Sequence, residues 1–126
     1  MLESQGIHLC WIVVKDLKKA IAFYTETMGL TLSECHENYG WAELSSSDGC
    51  ALGLAQESDA QDVLSGSNAV LTLSVPDIEA ACKTCRAKGV KLIAKMLEIP
   101  GHVKLQTVED PDGNRWQLVE KLSSSH

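Results

Sequence analysis

The chain has 126 residues, 44% hydrophobic and 22% charged, with a formal net charge of −6. That is the length of one domain able to bury a core unaided, and the composition excludes disordered, collagen-like and coiled-coil readings. The acid excess argues against nucleic acid and anionic membranes as partners, and no apolar run is long enough for a membrane span.

The chain opens without a basic, apolar leader, and it carries five cysteines, an odd number. Both features are expected of a cytoplasmic protein with reduced thiols. The first element is the apolar run Ile7 to Val14, which reads as a strand. Asp16 follows, placed to cap a helix by accepting its first free N–H groups. Leu17, Ala20, Ile21, Tyr24 and Met28 then share one helical face, and Gly29 ends the helix. Strands are expected around Leu30–Cys35, Tyr39–Leu44 and Cys50–Ala55, with Asp48-Gly49 as a hairpin turn. Residues 56–68 are polar and small and read as a linker.

The pattern then returns about sixty residues on. Val70 to Val75 is a strand, Asp77 a cap, and Ile78, Ala81, Cys82 and Cys85 a helical face ended by Gly89. The second copy is one residue shorter between cap and glycine. Strands follow around Val90–Met96, Val103–Val108 and Arg115–Glu120, with Asp110 to Asn114 as a turn that shapes the backbone. Cys82 and Cys85 lie inside the helix, away from its N-terminus, and read as small core hydrophobes. The chain is thus two modules, 1–55 and 69–122, with a tail at 123–126.

Val14-Lys15-Asp16-Leu17, Ala22-Phe23-Tyr24 with Met28-Gly29-Leu30, and Asp110 to Asn114 with Trp116-Gln117-Leu118 resemble one family. It is the glyoxalase, bleomycin-resistance and extradiol-dioxygenase group, the vicinal oxygen chelate (VOC) superfamily. The resemblance covers nearly the whole chain. It implies an α+β fold, a single VOC domain over 1–122 whose two βαβββ modules form a curled mixed β-sheet around a cavity. It also implies a homodimer. Enzymes of the group place a divalent metal on four side chains, and the resemblance assigns those positions to Leu9, Gly53, Val70 and Gln117. A single amide oxygen does not hold a transition metal, which wants three or four donors. No cofactor is therefore expected. His8 stands one residue out, on the opposite face unless a bulge restores it. An irregular site would have to use His8, Glu43 and Gln117.

Strand alternation aims Leu9, Trp11, Val13, Tyr39, Trp41, Glu43 and Gly53 at the cavity from the first module. From the second it aims Val70, Thr72, Ser74, Arg115 and Gln117. The strand Val103–Val108 is ambiguous. One register buries Val103, Leu105 and Thr107 and turns His102, Lys104 and Gln106 to the cavity, and a slip of one reverses this. The ligand-binding set is Trp11, Trp41, Glu43, Gly53, Thr72, Arg115 and Gln117. Glu43 and His102 are the candidates for acid–base catalysis. The tryptophans serve equally well as core, and Glu43 as a solvated strand residue. The leading expectation is a binding protein for a small aromatic or cationic molecule, acting without metal. The alternative is a VOC-type lyase or dioxygenase-like enzyme with an irregular metal site or metal-free acid–base chemistry. A third reading is a structural module with a vestigial cavity.

Overall fold

The structure, a computed structural model, describes Glu3, Gln5 and residues 8–58, 64–66 and 70–122. The expected start of the first strand at Ile7, parts of the linker and the tail lie outside the described residues. The chain divides into two compact units, Met1–Ser65 and Gly66–His126. The first holds β1 (Cys10–Val14), α1 (Leu17–Ala22), a π-helical turn (Phe23–Thr27), β2 (Thr31–His36), a 3-10 turn (Glu37–Tyr39), β3 (Trp41–Ser45) and β4 (Ala51–Gln56). The second holds β5 (Leu71–Ser74), α2 (Ile78–Ala87), β6 (Lys91–Ile99), β7 (Val103–Glu109) and β8 (Arg115–Lys121).

Each unit forms its own four-stranded sheet, in the orders β1-β4-β3-β2 and β5-β8-β7-β6. β1 runs parallel to β4, and β5 parallel to β8; the other pairings are antiparallel. This corrects the expectation of one curled mixed sheet around a cavity. Among the described residues neither sheet closes, because the outer strands of each order are not paired with one another. The physical reason is strand number. The parallel pairing completes each four-stranded ladder, whereas closure takes about eight strands.

Alternation sends Ile12, Val14, Ala42, Leu44, Leu52 and Leu54 to the helix side of the first sheet, where they are buried with Leu17, Ala20 and Tyr24. In the second unit Val108, Trp116 and Leu118 are buried with Ile78, Cys82 and Cys85 of α2. The helix starts are held from two directions. Asp16 accepts a bond from the backbone N–H of Lys19 at 3.1 Å. Gln56, at the end of β4, accepts from the N–H of Leu17 at 2.9 Å. In the second unit Asp77 accepts from Glu79 and Ala80, and Glu120 of β8 accepts from Ile78 at 2.9 Å. Five of the donors that the two helix starts leave free are thereby satisfied by matching residues of the two copies.

The one-residue difference between the copies is absorbed by the π-helical turn. Met28 donates to the carbonyl of Phe23, five residues back, at 3.1 Å. A π turn takes up one extra residue without breaking the helix. Gly29 and Gly89 both end their helices at positive φ, +79° and +75°, as the sequence requires. The turn at Asp110 is built by its own carboxylate, which accepts from the N–H groups of Asp112 and Asn114 and from the Asn114 amide. Among the described residues no helix is long and apolar enough to cross a membrane.

The ambiguous strand takes the second register. Gln106 and Val108 are buried on the helix side, opposite Leu118 and Trp116. Lys104 shares that side and reaches Glu79 of α2 at 3.7 Å. The cause is a bulge in β6 between Ile93 and Leu97, with Ala94 at φ +62°. The bulge frees carbonyls that need a donor behind the sheet. The Gln106 amide supplies it, lying 3.1, 3.2 and 3.0 Å from the carbonyls of Ile93, Ala94 and Thr107.

Gln106→Leu should therefore lower unfolding stability by roughly 1–3 kcal/mol, the cost of leaving buried carbonyls unpaired. Ala94→Gly should raise it by about 1 kcal/mol, because glycine adopts positive φ without a Cβ penalty. Urea unfolding of both variants checks the two signs.

Candidate functional site

The face of the first sheet turned away from α1 carries two rows. Trp11, Gly53, Glu43 and Glu34 are aligned across the four strands in one, and Val13, Ala55, Trp41 and His36 in the other. The expected group of Trp11, Trp41, Glu43 and Gly53 is therefore brought together. Its centre is the indole of Trp41, which lies across Gly53. A Cβ built at Gly53 would meet Trp41 Cζ2 at 2.6 Å and Trp11 Cβ at 2.9 Å, closer than any real Cβ contact. The ring is held on two sides. Its Nε1 donates to Glu43 Oε2 at 3.0 Å. Its centroid lies 6.3 Å from that of Trp11 at an interplanar angle of 62°, an edge-to-face pair.

Glu34 and His36 reach this face through a bulge between Leu32 and Glu34. Leu32 opposes buried Leu44, yet Glu34 opposes Glu43, so the extra residue reverses the alternation and re-aims both side chains. Glu34 Oε1 lies 2.8 Å from His36 Nε2. The His36 ring stacks on Tyr39 with centroids 5.0 Å apart and planes 11° from parallel. Together Glu34, His36, Tyr39, Gly40, Trp41, Glu43 and Ala55 line a cavity of about 370 Å³, large enough for a small organic molecule. The sequence places Glu34 in the expected strand Leu30–Cys35 and assigns neither it nor His36 to the site, because a bulge has no periodic signature. The unit around the cavity also carries the acid excess. Residues 1–65 hold ten acidic side chains against three basic, and residues 66–126 seven against eight.

In the second unit Thr72, Gln117 and Thr107 are aligned on the helix-free face. Arg115 lies further along β8, exposed, its Nε 3.2 Å from Glu109 Oε2. His102 sits in the turn before β7, exposed, with its backbone N–H donating to Ile99. Glu43 and His102 belong to different units. His8 is exposed ahead of β1, and the β1–β4 register runs without a bulge from Cys10 to Val14. The irregularity that would restore His8 occurs in β2 instead.

The residues at the family's ligand positions do not fit a metal. Leu9 and Val70 are hydrocarbon, Gly53 brings no donor and lies beneath an indole, and Gln117 offers one amide oxygen. Among the described residues no three His, Cys, Asp or Glu side chains gather into a group that could hold an ion. Cys82 and Cys85 are buried against the second sheet, and burial pushes both thiols above the ordinary cysteine range. Cys10, Cys35 and Cys50 are exposed.

Residues 6–118 match the model of the Glyoxalase/Bleomycin resistance protein/Dioxygenase superfamily. A "Probable lactoylglutathione lyase" of Vibrio cholerae is 35% identical over 121 residues, covering 85% of this chain and 84% of its own length. Among solved structures, a superfamily member from Sphaerobacter thermophilus superposes with a TM-score of 0.78 at 24% identity, over 95% of this chain and 100% of its own. TnmS3, an antibiotic binding protein from Streptomyces sp. CB03234, gives a TM-score of 0.76 at 25% identity, over 96% of this chain and 99% of its own.

Gly53→Ala should cost roughly 1–3 kcal/mol by overpacking, and much less when Trp41 is also changed to Leu, as a double-mutant cycle would measure. In the native protein an aromatic disulfide reagent should titrate Cys10, Cys35 and Cys50 promptly. Cys82 and Cys85 should react only on unfolding.

Proposed function

The chain belongs to the glyoxalase/bleomycin resistance protein/dioxygenase superfamily, and from that premise we propose that it binds a small aromatic or cationic molecule without the family's metal. The binding surface is the helix-free face of the first unit. The observation that carries the reading is the indole of Trp41 lying over Gly53, at a position where the family's enzymes present a metal ligand. An aromatic wall there favours stacking and contact with a planar or charged guest. Glu43 fixes the ring and brings charge to its edge. The antibiotic-binding activity named for TnmS3 is of the same kind. Thr72, Arg115 and Gln117 are proposed as ligand-binding residues on the second unit itself. The two units act as one domain in a cytoplasmic homodimer.

The second reading is an enzyme. The relative from Vibrio cholerae favours it by name, and Glu43 and His102 are the groups that would move protons. The donor set at the four ligand positions weighs against the metal-dependent form of that reading.

Protein purified without chelators should contain no stoichiometric transition metal, and it should show no lactoylglutathione lyase activity with or without added divalent ions. One tightly held ion per chain would overturn the metal-free reading. A thermal-shift screen of planar aromatic compounds should find ligands that raise the melting temperature. Saturation near 100 Kd stabilises the folded state by about 2.7 kcal/mol. Trp41→Ala should abolish the shift.

A further inference from the structure

The cross-strand pair Glu34–Glu43 is the feature that the reading above leaves unexplained. Like charges directly opposite on one sheet face destabilise the pairing, yet a bulge places these two opposite each other. Without it Ser33, a neutral residue, would stand there. Each carboxylate uses one oxygen locally, Glu34 Oε1 with His36 Nε2 at 2.8 Å and Glu43 Oε2 with Trp41 Nε1 at 3.0 Å. Among the described residues the other oxygen of each makes no hydrogen bond. The remaining walls are the stacked rings of His36 and Tyr39, the indole of Trp41, and the small residues Gly40 and Ala55, around about 370 Å³. His36 is the basic side chain of the lining and sits on Glu34, while Lys15, Lys18 and Lys19 of this unit are absent from it.

We infer that this cavity recognises the planar N–H-bearing cation of a small molecule, an amidinium or guanidinium group, bridged by Glu34 and Glu43 and stacked against the rings. The chemistry selects that class. A flat cation with several N–H donors in a fixed fork matches two carboxylate oxygens at once and lays its face on an aromatic plane. A neutral guest leaves the two charges opposed, and an anion is repelled. The inference rests on the small-molecule reading of the same site and names its ligand class.

The test is calorimetric titration with benzamidine and with its neutral isostere benzamide. Benzamidine should bind one per chain, at least tenfold more tightly than benzamide, with affinity falling as salt is raised. Glu34→Gln and Glu43→Gln should each weaken benzamidine at least tenfold and leave benzamide within about twofold. Glutamine at 43 keeps an acceptor for Trp41 and removes the opposed charge, so that variant should melt no lower than the parent protein. Equal affinity for the two probes, or variants that bind benzamidine as well as the parent does, would overturn the inference. So would failure of benzamidine to bind. If benzamidine fails while neutral planar compounds still raise the melting temperature through Trp41, only the ligand class is wrong. If nothing planar binds, the binding reading falls as well.

Discussion

In each unit a side chain at the end of the last strand accepts the first free N–H of the helix, and the rest of the unit depends on that bond. Gln56 reaches Leu17 and Glu120 reaches Ile78, both at 2.9 Å. α1 has six residues before its π turn, too few to persist alone in water. Its stability must come from packing and from satisfied ends. The bond also fixes the last strand beside the first, because the helix start follows directly from β1 and from β5. Parallel pairing between distant segments is entropically slow to form, and this clasp gives it a defined endpoint. Gln56 adds a second bond, from its amide to the carbonyl of Lys15, so strand end and helix entry are held as one piece.

Much of this was legible in the sequence, where the signal was local. The two aspartate caps, the two terminal glycines and the alternating apolar faces each rest on residues within one or two turns of one another. The residues that escaped notice act across distance. Nothing near Gln56 or Glu120 marks either as a helix cap, because the group it satisfies lies some forty positions earlier. Gln106 escaped for a related reason. Its strand alternates equally well in both registers, and the choice is made by carbonyls that a bulge in a neighbouring strand leaves unpaired. Glu34 and His36 were hidden by a bulge too, since one extra residue reverses every side chain beyond it. The curled single sheet came from the family pattern and not from any residue, and the strand order of the two units replaces it.

The site shows how one small residue sets the character of a surface. Gly53 leaves a gap on β4, and Trp41 fills it from the next strand. The ring is then locked by a carboxylate two residues along its own strand and by Trp11 across the sheet. Glycine brings no donor to this position, and the indole over it presents an aromatic face instead. The acid excess, which in the whole chain is only a net number, is concentrated in the unit that carries these rings.

The two bulges have one more consequence. β2 and β6 are both outermost strands of their sheets, and both are interrupted, near Leu32 and near Leu97. Each also exposes large apolar side chains, Leu32 on one and Leu97 with Ile99 on the other. A straight, greasy outermost strand is a template on which another chain can add and grow into a fibre. Breaking the spacing of its N–H and C=O groups removes the template while leaving the side chains in place. The irregularities that escape periodic reading thus also make these two strands poorer templates for another chain.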